Sequence, residues 1–404
     1  MTGGMLAAGL GRLPFALAAC FALSATMLTT FAIVSPDVMS ELGLNYGQTG
    51  VIAAAYMLGY GLFQIPASVL GIRLGSGRVL VGAAVLMSAA ALVPVLLPSH
   101  AGWVISRLAT GIGGAAVLPL GIHLLARMMS GPRLVKGLAV FVSGWGVGMT
   151  LAMLGAAPLV GSGGWRTVML ASAVFGVLVV AGLLRALPAE GSGGDAGTVE
   201  PATLAQIACK LAGSRALNLM GTVNATGTTL MICVPAWLPL YLTTVFGVPA
   251  AETSVGLSTI GIGVAIGGWA GGALAIPFGW RPVVIVSLVS SGLLVATIPL
   301  QSSTILLMVT AFVIGSVGIF FAAPIQALFP LVVPGQWTAL AAAYYNTIGF
   351  VGAFLASLAF GFLVDWSSSF TVGWLWLAAI PVIGIAAVLS LRIPAHAGST
   401  EARP

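Results

Sequence analysis

The sequence predicts an all-α integral membrane protein whose twelve transmembrane helices form two pseudo-symmetric six-helix bundles. Hydrophobic residues make up 59% of its 404 residues and charged residues 5%, whereas about a quarter of a soluble domain is charged. Uncharged stretches long enough to cross a bilayer, which takes about 20 residues per helix, recur along the chain. Several residues also recur at a constant offset of 204 positions, which indicates that a six-helix unit is present twice.

Hydropathy divides the chain into twelve predicted spans. No charged residue occurs between Arg12 and Asp37, and none within residues 282–364. The spans are predicted at residues 13–34, 47–71, 79–98, 102–126, 136–160, 167–185, 216–244, 253–276, 282–299, 303–327, 337–363 and 371–391. Because their number is even, both termini are expected on the same side of the membrane.

The charged residues predict which side that is. Lys and Arg collect on cytoplasmic loops, because translocation of positive charge is disfavoured. With a cytoplasmic amino terminus, the outer side receives Arg166 together with the acids Asp37, Glu41, Glu252 and Asp365. The cytoplasmic side receives Arg12, Arg73, Arg78, Arg127, Arg133, Lys136, Arg185, Lys210, Arg215, Arg281, Arg392 and Arg403. We therefore expect a multi-pass protein of the cytoplasmic (inner) membrane with both termini in the cytoplasm.

A polar, glycine-rich segment separates the two sets of six spans. We predict an amino-terminal bundle at 1–186, a cytoplasmic linker at 187–215, a carboxy-terminal bundle at 216–391 and a cytoplasmic tail at 392–404. The 204-residue offset pairs Gly111 with Gly315 and Gly148 with Gly352. Internal repeats of this kind are typical of secondary transporters, which bind their substrate between the repeats.

Three short motifs resemble the major facilitator superfamily, and the resemblance extends over nearly the whole chain. Arg107, Gly111, Gly113 and Ala115 match that family's Arg-x-x-x-Gly-x-Gly-x-Ala pattern in span 4, and the GlyGlyTrpArg segment ending at Arg166 is similar to its loop between spans 5 and 6. The loop between spans 2 and 3 keeps the basic and glycine positions Arg73, Gly75 and Arg78, but Ile72 stands where the family has an acid. The resemblance implies two bundles that rock about a central site.

Arg107 is the basic residue that lies well inside a predicted span. A charge within the hydrocarbon costs about 2.5–3.5 kcal/mol on insertion scales, so such residues usually face a cavity or a partner. We predict that Arg107 binds an anionic substrate; the alternative is a structural Arg that donates to carbonyls of neighbouring helices. Since no Asp or Glu lies in the middle of a span, the charge balance favours a neutral or anionic substrate over a cationic one.

Neutral polar and aromatic residues mark the helix faces that we expect to line a central cavity. They recur at helical spacing in spans 1, 2 and 7, cluster in span 11 and occur singly in spans 5 and 10, whereas spans 3, 6 and 12 carry almost nothing more polar than Ser or Thr. Together with Arg107, the predicted substrate-binding residues are Tyr56, Tyr60, Gln64, Trp145, Asn224, Thr228, Gln326, Tyr345 and Asn346.

Small residues mark expected helix contacts. Gly144 and Gly148 in span 5, and Gly267 and Gly271 in span 8, form Gly-x-x-x-Gly patterns that permit close helix approach. The resemblance implies that spans 5 and 8 meet between the halves, so we predict these four glycines as a gating contact. His123 lies on a different face of span 4 from Arg107, and we expect it to be packed or interfacial.

We expect a transporter rather than an enzyme. Three scattered histidines supply no catalytic or metal constellation, no cofactor motif is present, and no nucleotide-binding motif indicates ATP drive. Two halves in one chain favour an internal cleft in a monomer over an oligomeric channel. The expected partners are a small-molecule substrate and the lipid bilayer, with no nucleic acid; a coupling proton or ion is left open. The leading interpretation is alternating-access transport of a small organic anion or neutral metabolite; the alternative is proton-coupled efflux of drugs or other amphipathic molecules.

Overall fold

The computed structural model describes residues 11–129, 131–187, 210–333 and 338–392, and within these ranges the chain is helical and contains no strand. Spans 1 to 4 are the helices Leu13–Leu42, Tyr46–Leu74, Ser76–Leu96 and His100–Met128. Spans 5 and 6 share the helix Gly131–Ala186, which is interrupted at Gly163 and Gly164, where the backbone is not helical.

The carboxy-terminal half contains the remaining six spans. Spans 7, 9 and 11 are Arg215–Phe246, Trp280–Thr297 and Thr338–Ser367. Span 8 consists of the helices Ala250–Leu257 and Thr259–Phe278. Span 10 consists of Thr304–Gly318, Ala322–Gln326 and Phe329–Val332. Span 12 consists of Phe370–Ala379 and Pro381–Ser390. Eleven helical segments of the described chain are long and apolar enough to cross a membrane, and the shorter apolar segment Val140–Ala156 supplies span 5. The predicted all-α membrane fold is confirmed.

Span 1 is longer than predicted. It continues through Pro36 and ends at Leu42, where Gly43 takes the left-handed conformation (φ 62°) and its N–H bonds to the Met39 carbonyl. A proline removes one helical hydrogen bond, but it is tolerated inside a transmembrane helix because the surrounding groups can bond to the freed backbone carbonyl. Most of the predicted linker, at 188–209, and the tail at 393–404 lie outside the described residues.

The same close helix contacts occur in both halves at the 204-residue offset. In the first half, Gly59 of span 2 faces the Leu108 carbonyl of span 4, and Gly111 of span 4 faces the Tyr56 carbonyl of span 2. In the second half, the equivalent glycines make the equivalent contacts: Gly263 of span 8 faces the Phe312 carbonyl of span 10, and Gly315 of span 10 faces the Ile260 carbonyl of span 8. The repeat seen in the sequence is therefore also a repeat of packing.

These contacts make a stability prediction. A methyl group added by Gly111→Ala would collide with the Tyr56 carbonyl oxygen, a backbone atom that cannot rotate away. Overpacking of this kind costs about 1–3 kcal/mol, so we expect a lower melting temperature in detergent. Gly82→Ala in span 3 is the matched control, since nothing lies within 4 Å of the added methyl; equal melting temperatures for the two variants would contradict the assigned contact.

Twelve antiparallel spans bring the chain back to the end of the bundle from which it started, here called the terminal end; the opposite end is called the far end. At the far end the two halves are joined directly. The Asp365 carboxylate at the end of span 11 accepts hydrogen bonds from the backbone N–H groups of Tyr46 (2.9 Å) and Gly47 (2.5 Å) at the start of span 2. Further along span 2 toward the terminal end, at the depth of the cavity, Thr347 of span 11 donates to the Gly61 carbonyl (2.8 Å). Spans 2 and 11 therefore close the far end of the interface between the halves.

Candidate functional site

A cavity of about 970 Å³ lies between the two halves. Its described lining comes from spans 1, 2, 4 and 5 of the first half and from spans 7, 8, 10 and 11 of the second; none of it comes from spans 3, 6, 9 or 12. Toward the far end the lining stops at Ala53 and Arg107, about two helical turns inside the ends of their helices. Toward the terminal end it continues to Ile122 and Phe329. The cavity is thus closed at the far end and extends toward the terminal end.

Arg107 lies at the closed part of this cavity and is only 4% exposed. Its guanidinium donates to the Met27 carbonyl and to the Leu28 carbonyl (3.2 Å) of span 1. The guanidinium carbon lies 4.9 Å from the centre of the Tyr56 ring and 5.4 Å from that of the Phe31 ring. The Arg107 side chain therefore tethers span 4 to span 1 and also borders the cavity, while its binding of an anionic substrate stays a prediction.

The guanidinium keeps unused hydrogen-bonding capacity. A guanidinium has five N–H donors, and two of its donors bond to the carbonyls of span 1. The buried Arg107 Nε has no hydrogen-bond partner among the described residues. Among the described lining residues of the large cavity there is no Asp, Glu, Lys or His, so Arg107 supplies its charge. A positively charged donor with spare N–H groups at the closed end of a cavity can hold an anion.

Eight of the ten residues predicted from the sequence line the cavity. They are Arg107, Tyr60, Trp145, Asn224, Thr228, Gln326, Tyr345 and Asn346. Tyr60 stacks on Phe350 of the opposite half at a ring distance of 4.2 Å and contacts Trp145 edge-on at 6.3 Å. The aromatic wall therefore continues across the boundary between the halves.

The prediction that Tyr56 and Gln64 line the cavity is wrong. Tyr56 is buried within the first half, where its hydroxyl donates to the Ser24 carbonyl (3.0 Å) and its ring stacks on Tyr60. Gln64 is 1% exposed and absent from the lining. Residues four positions apart differ by about 40° around a helix, so the stripe rotates by about 80° from Tyr56 to Gln64, and only its central member, Tyr60, faces the cavity.

The predicted contact through the four glycines is also wrong. Gly144 and Gly148 of span 5 have their nearest neighbours in span 1, at Ala18 and Ala22, and Gly267 and Gly271 of span 8 face Ser316 and Phe320 of span 10. All four serve packing within one half. Spans 5 and 8 do meet, but through other residues: a Cβ at Gly261 would lie 3.4 Å from the Gly146 carbonyl and 2.8 Å from the Thr150 hydroxyl.

The carboxy-terminal half contributes a polar cluster without charge. Thr228 donates to the Asn224 side-chain carbonyl (3.0 Å), and the Asn224 amide donates to the Tyr345 backbone carbonyl of span 11 (2.9 Å). Asn346 and Gln326 line the cavity beside them. These residues were found in the sequence because polar side chains are conspicuous inside apolar spans.

The sequence did not identify the apolar part of the lining. Phe31, Phe350 and Ile232 border the cavity, but an apolar residue in a span can equally face lipid or a neighbouring helix. No residue-type signal distinguishes these cases. His123 is exposed and does not line the cavity.

Comparison with known proteins agrees with this architecture. The family model described as Major Facilitator Superfamily matches residues 15–356. The chain belongs to the major facilitator superfamily. A relative from Escherichia coli K12, the 3-(3-hydroxy-phenyl)propionate transporter, is 28% identical over 367 residues, which cover 87% of each protein.

Other relatives match over less of their length or by fold alone. The MFS-type transporter EfpA of Mycobacterium tuberculosis is 28% identical over 160 residues, which cover 39% of this chain and 30% of EfpA; the match thus spans under a third of that relative. A crystal structure of the nucleoside transporter NupG has a TM-score of 0.77 at 15% identity, covering 94% of this chain and 98% of that one. This likeness shows a shared fold.

Proposed function

We propose that this protein is a secondary transporter that moves a small aromatic carboxylate across the cytoplasmic membrane by alternating access. The observation that carries the proposal is Arg107, which supplies the charge of the described cavity lining and has more N–H groups than the two that bond to span 1. A carboxylate beside it would neutralise a buried charge that otherwise has carbonyl and aromatic partners only.

The walls around Arg107 suit an aromatic ring. Phe31, Tyr60, Trp145 and Phe350 all border the cavity. Stacked and edge-on ring contacts contribute about 0.5–1.5 kcal/mol each beyond area burial. The relative from Escherichia coli that covers 87% of this chain carries in its name an aromatic carboxylate, which supports the same substrate class.

The state of the cavity fits one half of an alternating-access cycle. With the terminal end placed in the cytoplasm, as the distribution of Lys and Arg favours, the cavity extends toward the cytoplasm and the outer end is closed by spans 2 and 11. Rocking of the halves would break the contacts of Asp365 with Tyr46 and Gly47 and open the opposite side.

A matched set of ligands tests this function. We expect the purified protein to bind 3-phenylpropionate at least tenfold more tightly than the isosteric neutral 3-phenylpropionamide, because a hydrogen bond to a charged group contributes about 1.5–3 kcal/mol. The affinities would be measured by calorimetry in detergent.

The cationic analogue, 3-phenylpropylamine, is the control and should not bind. Equal affinity for the acid and its amide would instead indicate a neutral metabolite as the substrate. Preferential binding of the amine would favour efflux of cationic amphipathic molecules and would remove the proposal.

A further inference from the structure

The uncharged polar cluster on spans 7 and 11 has a fixed geometry. Asn224 is 5% exposed, and its amide is held on both sides, since it accepts from Thr228 and donates to the Tyr345 backbone carbonyl. These two bonds orient the amide, so its nitrogen and oxygen positions follow from the network. A polar group that is held in this way is preorganised to bind a ligand.

The cluster retains unused donors and acceptors. The Asn224 amide has a second N–H, and the Thr228 hydroxyl oxygen keeps its acceptor lone pairs while its proton bonds to Asn224. Asn346 also lines the cavity, and its side chain has no hydrogen-bond partner among the described residues. Three side chains of the cavity lining, on spans 7 and 11, therefore keep both donors and acceptors for a ligand group.

The internal repeat allows the position of the polar cluster along the helix axes to be compared with that of Arg107. The guanidinium bonds at the level of Met27 and Leu28 on span 1. The 204-residue offset makes Met231 and Ile232 their counterparts on span 7, and both line the cavity. Thr228 and Asn224 come earlier on the same helix, and at 1.5 Å per residue they lie about 5 and 11 Å nearer the terminal end along the axis.

The separation between Arg107 and the polar cluster suits a ligand that carries a different functional group at each end. We infer that Asn224, Thr228 and Asn346 form a second subsite, which hydrogen-bonds a hydroxyl group on the ring of an aromatic carboxylate whose acid end lies at Arg107. The aromatic residues Tyr60 and Phe350 line the same cavity. The inference rests on the proposed function and assigns the specificity within that class of substrate to the carboxy-terminal half.

A hydroxyl-reading subsite has a measurable consequence. A site that hydrogen-bonds a substrate hydroxyl discriminates against the analogue that lacks it, because its own buried polar groups are then left unpaired. We expect wild-type protein to bind 3-(4-hydroxyphenyl)propionate about tenfold more tightly than 3-phenylpropionate, and the ratio of the two affinities is the readout.

Thr228→Val removes the hydroxyl with little change in shape and should bring this ratio close to one. Thr226→Val is the matched control: its hydroxyl donates to the Val223 carbonyl on the same helix, and the residue does not line the cavity. The control should keep the wild-type ratio. Asn346→Leu provides a second test that does not depend on the bonds between spans 7 and 11.

The outcomes separate the subsite from the proposed function. If wild-type protein binds both compounds equally, or if Thr228→Val and Asn346→Leu both keep the wild-type ratio, the subsite is removed and the anion site remains. If wild-type protein binds neither compound, the proposed function fails, and the subsite fails with it. A ratio that falls in both variants and persists in Thr226→Val supports the inference.

Discussion

Arg107→Ala is expected to weaken binding of 3-phenylpropionate by about 10- to 100-fold, because the variant loses a charge-assisted hydrogen bond worth about 1.5–3 kcal/mol. Arg107→Lys should keep part of the affinity, since the charge remains but the planar fork of donors does not. Affinity for the neutral amide should change much less in both variants. The deciding quantity is the ratio of the acid and amide affinities.

The ratio is needed because Arg107 also holds spans 1 and 4 together through the Met27 and Leu28 carbonyls. We expect both variants to melt at lower temperature, and a loss of binding alone would not separate the two roles. Arg166→Ala is the control: Arg166 forms an exposed ion pair with Glu41 (2.6 Å), away from the cavity. A lower melting temperature with an unchanged acid-to-amide ratio would show that Arg107 is a purely structural residue.

Asp365→Asn is expected to shift the protein about tenfold toward a state that is open at the far end. The carboxylate of Asp365 accepts from two N–H groups at the positive amino-terminal end of span 2, and both the hydrogen bonds and the helix dipole favour a negative charge there. The asparagine keeps the shape and one acceptor oxygen but loses the charge. A loss of about 1.4 kcal/mol corresponds to the tenfold shift.

The shift would be measured as a distance between spin labels on the two halves at the far end. Leu97 and Trp366 are exposed there and can be replaced by cysteine in a background without the native cysteines. We expect the longer-distance population to grow in Asp365→Asn. Glu41→Gln is the matched control, because the Glu41 carboxylate bonds to Trp165 and Arg166 of its own half. An equal shift in both variants, or in neither, would contradict a latch at Asp365.

The latch lies at one end of the molecule. The loop between spans 2 and 3, at the terminal end, has Ile72 where the superfamily pattern has an acid, whereas Asp365 provides a carboxylate at the far end. This asymmetry agrees with a structure whose cavity is closed at the far end and extends toward the terminal end.

Much of the fold could be predicted from the sequence because it depends on local properties. Hydropathy along the chain determines which segments cross a membrane, since a bilayer accepts only apolar helices of sufficient length. The 204-residue offset that pairs Gly111 with Gly315 reappears as equivalent contacts of spans 2 with 4 and 8 with 10. Arg107 and Asn224 could be selected as cavity residues because polar side chains inside a span need a polar environment.

Only the tertiary structure decided which side of each helix points toward the cavity and which neighbouring helix it packs against. Tyr56 and Tyr60 have the same residue type and helical spacing, yet only Tyr60 lines the cavity, because span 2 is rotated so that Tyr56 packs on Ser24 and Arg107. The pattern of Gly144 and Gly148 permits a close approach but does not name the helix that approaches, which is span 1 rather than span 8.

The closure of the far end also depends on tertiary packing. By sequence alone Asp365 is one of the acids expected on the outer side, and it can act as a latch because packing brings the start of span 2, more than 300 residues away in the chain, to its carboxylate. Composition and periodicity determined that this chain is a duplicated membrane protein with a basic residue, Arg107, well inside a predicted span. The rotation of each helix and its choice of neighbour depend on side chains distant in sequence, so only the packed structure decided which residues line the cavity and which end is closed.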